Sequence, residues 1–231
     1  MLTDDNIISN RARFINIINS LERDGIDKEK LLKYLDKGDF FSAPASTRYH
    51  NSFKGGLCAH CLNVYDNLLK LMQIKYPPAV AIQKNEQGEE VEVWENTCPY
   101  THDTMAVVSL LHDFAKVNFY EPTVRNQKIY TATGSKKDEM GRFDWVAVPG
   151  YGVKDSADRF IYGNHEYTSL YMVSKFLPLS LEEEIAISHH HAGMSDDCAK
   201  DNISEIMSKY PLALLLHLAD MTAAYFDETT S

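Results

Sequence analysis

The chain has 231 residues, enough for one large domain with a sizeable core. Its 44% hydrophobic and 24% charged residues suit an ordinary globular protein, and its net charge of −10 excludes a general binder of extended duplex nucleic acid, which needs a basic surface. A small phosphorylated ligand stays compatible, because a metal ion and a few local cations hold phosphate inside an acidic protein.

No apolar run is long enough to span a bilayer, so no membrane partner is expected, and the start, Met1-Leu2-Thr3-Asp4-Asp5, lacks a signal-peptide pattern. The four cysteines, Cys58, Cys61, Cys98 and Cys198, are too few for a disulfide framework in a chain this long. A reducing, cytoplasmic setting is expected.

In chain order, Ile7, Ile8, Phe14, Ile15, Ile18 and Leu21 recur at helical spacing and predict a helix from Asp4 to Leu21. A short second helix fits Asp27 to Leu35, with Asp27 as its N-cap. Phe40 to Gly56 reads as a loop ending in the Gly55-Gly56 pair. Leu57 to Ile74 is a helix that Pro77-Pro78 stops. Gln83 to Asn96 is polar and acidic, a loop or a weak hairpin, and Pro99 to Lys116 is again helical. From 118 to 160 the character changes: Lys128 to Thr131 and Phe143 to Val148 favour strands, and a hairpin insertion is expected. Helices resume at His165–Phe176, Leu181–His191 and Pro211–Phe226. The expected fold is therefore all-α, one domain over residues 1–231, with N-terminal helices in 1–40 and a small β-hairpin insertion.

Chemistry concentrates in a few places. His112-Asp113 follows directly on the apolar run Ser109-Leu110-Leu111, and burying both groups without partners is expensive. A divalent metal satisfies them, since neutral imidazole is a good ligand and a carboxylate can bridge two ions; a surface helix terminus is the alternative. His60 lies beside the inward stripe Leu57, Cys61, Val64, Leu68 and Leu71 and can face the interior. His165 opens a helix, and His189-His190-His191 ends another. Asp220 sits in a helix so apolar that its carboxylate needs a cation, and no Lys or Arg is near it in sequence. His102-Asp103 is a second such dipeptide, but beside Thr101 it suits a helix start better than a ligand pair. Cys58-Ala59-His60-Cys61 lacks the second ligand pair that a structural zinc site needs.

The ordered set His60, His112-Asp113 and Asp220 on separate helices resembles the HD-domain superfamily of metal-dependent phosphohydrolases, from about Phe41 to Tyr225. The stretch His50-Asn51-Ser52-Phe53-Lys54-Gly55-Gly56-Leu57 ahead of His60 is similar to the glycine-pair approach to the first ligand helix in bacterial HD proteins, including the HD part of a 3′–5′ exoribonuclease family. His112-Asp113-Phe114-Ala115-Lys116 resembles the family's His-Asp-x-x-Lys form, and His165 and His190 match the extra histidines of its binuclear subset, with His189 the rival of His190.

The resemblance implies a helical bundle holding divalent ions (Mn, Fe, Co, Ni, Zn or Mg), two by the binuclear pattern. One would take His60, His112, Asp113 and Asp220; the other His165 and His190, with Asp113 shared. It implies a metal-activated hydroxide cleaving a phosphoester or nucleotide, with Asp113 and Lys116 as catalytic residues. Arg48, Lys54 and Lys116 are the candidates for holding the substrate's anionic oxygens. The expected partner is a small phosphorylated compound, a nucleotide or short oligonucleotide, with oligomerisation left open. Two alternatives stand beside this: a di-iron oxygenase of the same fold acting on a small molecule, and a non-catalytic nucleotide-binding regulatory module. His217, three residues before Asp220, is either support for the site or core packing.

Overall fold

The computed structural model describes residues 2–192 and 202–228, so Cys198 lies outside the described residues. Helix α1 (Asp4–Ser20) begins at a reciprocal cap in which Thr3 and Asn6 satisfy one another's backbone N–H groups. Helix α2 (Lys28–Lys37) is capped by Asp27, whose side chain accepts from the Lys30 N–H. Both helices bury apolar stripes, Phe14 and Ile18 on α1 and Leu31 and Leu35 on α2.

Helix α3 (Gly56–Lys75) is the centre of the molecule, with twelve buried residues over its twenty. One side presents Leu57, Cys58, Cys61, Leu62 and Tyr65 to a cluster built with α1, α2 and helix α4 (His102–Leu111). The other presents Val64, Leu68 and Met72 to a second cluster, formed with helices α6 (Leu181–Ser188) and α8 (Pro211–Thr222). A helix apolar on both sides must be enclosed, and each fully buried Leu or Phe contributes roughly 1.5–3 kcal/mol. The glycine pair makes its start possible. Gly55 is left-handed at φ +80°, and a Cβ on Gly56 would meet the Asn51 carbonyl oxygen at 2.0 Å. The loop before α3 is thereby pressed against the helix end that carries His60.

Helix α5 (His165–Val173) is capped by Asn164, and helix α7 (Ile203–Lys209), which the sequence pattern does not announce, is capped by Asn202. Thr101 caps α4, and the decoy dipeptide serves packing: His102 Nε2 meets the Tyr65 hydroxyl at 2.7 Å, and Asp103 accepts from the Glu22 N–H at 2.7 Å.

The expectation of an all-α fold is wrong. Among the described residues, eight α-helices with three short 3-10 or π-helical turns account for 48% and two antiparallel sheets for 18%, so the fold is mixed α/β. Strands β1 (Ala79–Lys84) and β2 (Glu90–Glu95) pair from Ala79↔Glu95 to Lys84↔Glu90, closing at a turn where Gly88 has φ +80°. Nearly every residue of this ribbon faces solvent, so it carries no buried apolar face, and it contains the weak hairpin that Gln83–Asn96 left open.

The insertion is also larger than a hairpin. Strands β3 (Tyr120–Tyr130), β4 (Lys136–Asp138) and β5 (Gly141–Val153) form a sheet of order β3-β5-β4. Both long strands contain a proline, which has no N–H to give a ladder. Here Pro122 lies on edge strand β3, and Pro149 lies beyond the reach of β4, where one side of β5 is unpaired. Among the described residues, no helix is long and apolar enough to cross a membrane.

Candidate metal centre

Helix α4 stops at His112, and Asp113 (φ −100°, ψ 25°) turns the chain into a short 3-10 helix, Phe114–Lys116. This break aims both side chains of the dipeptide inward; His112 is 0% and Asp113 1% exposed. The Nδ1 of His112 lies 2.8 Å from the Ser109 carbonyl, three residues back. His190, just past the end of α6, repeats the arrangement with the Ile187 carbonyl at 2.7 Å. A carbonyl oxygen only accepts, so each Nδ1 carries the hydrogen and each Nε2 presents a lone pair.

Those lone pairs converge on carboxylates. Asp113 Oδ2 lies 3.4 Å from His112 Nε2 and 3.6 Å from His60 Nε2, while Oδ1 lies 3.7 Å from His190 Nε2 and 3.9 Å from His165 Nε2. Asp220, on α8, adds Oδ1 at 3.1 Å from His60 Nε2. The Nε2 atoms of His60, His112, His165 and His190, and Oδ1 of Asp113, are buried without a hydrogen-bond partner. Orphaned acceptors facing one another across a few ångströms are costly unless something positive lies between them.

Charge says the same. Asp113, Asp220 and Glu228 are buried carboxylates, and the Lys116 ammonium, 2.6 Å from Asp113 Oδ2, is paired with the first of them. Burial pushes Asp113 toward its neutral form, but Lys116 and the surrounding histidines outweigh it and hold the carboxyl well below its ordinary range. Burial and the neighbouring His112 hold His190 down at about 3, so it stays a neutral imidazole. For His60 burial also favours the neutral form, yet the Asp220 and Glu228 carboxylates outweigh it and push it up to about 10, so without a metal its Nε2 keeps the proton that a bound ion would displace. Several overlapping His/Asp/Glu groups here could hold a metal ion: His60 with His112 and Asp113, His112 with His190 and Asp220, and His165 with His190 and His191. The donor set, imidazole nitrogen with carboxylate oxygen, suits a divalent transition ion.

All six ligand candidates named from sequence, His60, His112, Asp113, His165, His190 and Asp220, thus lie together. His190 points into the cluster, while the Nδ1 of its rival His189 turns back to the Ile185 carbonyl at 3.0 Å. His217 Nδ1 reaches the His190 carbonyl at 2.8 Å and so braces that turn. Lys54 is not brought to the cluster; it is 63% exposed and 3.4 Å from Asp4. Arg48 is exposed on the loop before α3. Cys58 and Cys61 are free and buried in the core.

Three further neighbours were not named as ligands from the sequence. Glu228 follows a π-helical turn, Ala223–Asp227, and its N–H donates to the Ala223 carbonyl at 3.1 Å. Its carboxylate accepts from Asn63 at 2.9 Å and sits 3.0 Å from His60 Nδ1, fixing that ring as the carbonyls fix His112 and His190. His191 Nε2 lies 3.6 Å from Asp220 Oδ2. His50 packs its ring 4.7 Å from that of His60, and its Nε2 is also unpartnered; burial and the adjacent His60 hold it down at about 4. The three-histidine run gave a weak signal for His191, and the polar C-terminal stretch gave none for Glu228. No family model matches the chain, and neither a characterised protein nor a solved structure does.

Proposed function

We propose that the protein is a metal-dependent phosphohydrolase of the HD type, acting on a small phosphoester or nucleotide with two divalent ions in the His/Asp cluster. The observation that supports this most is the convergence of four unpartnered Nε2 atoms on Asp113 and Asp220. When bound, divalent metals lower the pKa of a coordinated water and draw charge from a phosphoryl oxygen.

The chain's own groups supply the rest. Asp113 offers an oxygen to each side of the cluster, which suits a shared ligand. Glu228, Ser109 and Ile187 hold the ligand imidazoles in the tautomer that leaves Nε2 free. The Lys116 ammonium, paired with Asp113 and with 12% of its side chain exposed, would hold a phosphoryl oxygen in this reading. The enclosing helices keep bulk water away and strengthen each of these interactions.

The test is phosphate release from a broad panel of phosphoesters by protein loaded with Mn²⁺, Co²⁺ or Mg²⁺, with Asp113→Asn as the control. Metal-dependent release that the control lacks is the expected result. Iron content with oxygen-dependent turnover and no phosphate release would overturn the reading in favour of an oxygenase. Tight nucleotide binding with no hydrolysis would overturn it in favour of a regulatory module.

A further inference from the structure

The centre is closed on most sides. The side chains of His60, His112, Asp113 and His190 are at most 1% exposed, whereas His165 keeps 24%. His191 keeps 31%, and its ring lies 4.5 Å from that of His165, so a substrate approaches on the side these two share. A cavity of about 290 Å³ lies on that side, with His165 in its wall beside Phe119, Arg159, Phe160, Ile161 and Asn164. Of these only His165 belongs to the ligand set.

Arg159 is the cation of this wall. Its Nε donates to the Lys154 carbonyl at 3.2 Å, and its guanidinium lies over the Phe119 ring, 4.6 Å from the centroid. Among the described residues no carboxylate is paired with it, so its terminal nitrogens are left for something else. Phe160 is braced from behind by Tyr171, stacked at 5.6 Å and 21°, and is itself 51% exposed. Flat apolar walls with one fixed, planar donor suit a flat ring carrying acceptors at its edge better than a bare anion. The volume, at the lower end for small-molecule sites, admits a single ring system rather than a polymer.

We propose that this cavity is the leaving-group subsite of the metal centre, and that it takes a planar, hydrogen-bond-accepting ring such as a nucleobase carried on the phosphoester; the inference rests on the phosphohydrolase reading. The phosphoryl group lies toward Asp113 and Lys116, and the ring lies against Phe119 and Phe160 with its acceptors toward Arg159.

The test is isothermal titration of the full, Mn²⁺-loaded chain with two probes: a nucleoside 5′-methylenephosphonate, which cannot be hydrolysed, and inorganic phosphate. The wild type should bind the phosphonate about tenfold or more tighter than phosphate, the ring contributing the difference. Arg159→Ala and Phe160→Ala should each remove most of that preference and leave phosphate binding unchanged. Equal affinity of the wild type for both probes would overturn the inference. So would variants that keep the preference, or that weaken phosphate as much as phosphonate, since Arg159 would then serve the phosphoryl group. A wild type that binds no Mn²⁺ would instead bring down the metal reading, and this inference with it.

Discussion

Asp113→Asn isolates the role of one carboxylate while keeping its shape. The native oxygens lie 2.6 Å from Lys116 Nζ and 3.4–3.9 Å from four imidazole Nε2 atoms, in a place that is 1% exposed. The amide is neutral, and one of its two heavy atoms cannot serve as a ligand. Two separate losses follow. Without metal, the Lys116 ammonium loses its counter-charge; breaking a buried pair costs about 3–5 kcal/mol, with the lower end expected because Lys116 can turn toward water. With metal, the native protein gains by mass action, about 4.1 kcal/mol at a thousand times Kd. For a chain of this length each kcal/mol moves Tm by roughly 2–4 °C, so Mn²⁺ should raise the native Tm by about 8–16 °C. Differential scanning fluorimetry, first in chelator and then in Mn²⁺, reads both effects. Asp113→Asn should start lower and gain almost nothing from Mn²⁺. A variant that keeps the native rise would refute Asp113 as a shared ligand.

Other changes separate the remaining parts of the account. Glu228→Gln should weaken metal binding about 10–100-fold, measured by competition with a chromogenic chelator, because the His60 ring loses the carboxylate that orients it; native affinity would contradict this. Lys116→Met should lower the rate of phosphate release about 10²–10³-fold at unchanged metal content; a rate within a few-fold of wild type would remove Lys116 from the chemistry. Glu183→Ala breaks the Arg23–Glu183 pair, whose side chains are 15% and 1% exposed, and should cost about 3–5 kcal/mol in urea unfolding. Burial raises the Glu183 carboxyl, but the Arg23 hydrogen bond and the Ser180 N–H outweigh it and hold it below its ordinary 4.5. Its contribution is therefore present above about pH 4.5 and lost as pH falls through the lower folded value, so the gap between wild type and variant should close in acid. A gap constant from neutral pH into the acid range would contradict that.

The helices were legible because packing onto a central element imposes a period. The stripe Leu57, Cys61, Val64, Leu68 marked α3 and set His60 beside it, and the apolar run before His112 set that dipeptide in the interior, although the helix expected to run on to Lys116 ends at Leu111. Asp220 stood out as a carboxylate in an apolar helix. The strands were legible only in part: Lys128–Thr131 and Phe143–Val148 read as strands, whereas the ribbon Ala79–Glu95 buries little and read from Gln83 onward as a loop or weak hairpin. The full length of β3 and β5 was not read, since long-range pairing, not local pattern, carries them through Pro122 and Pro149. Residues that act through the histidines were illegible too. Glu228 is 168 positions from His60 and reaches it through a π-helical turn that no local pattern marks. Arg159 and Phe119 meet only because the two ends of the insertion return to the same place.

Elemental analysis of the purified chain after loading with Mn²⁺ and removal of free ion tests the central claim most directly. The account predicts two metal ions per wild-type chain and a loss of both in Asp113→Asn. A wild-type chain that retains no metal would contradict it.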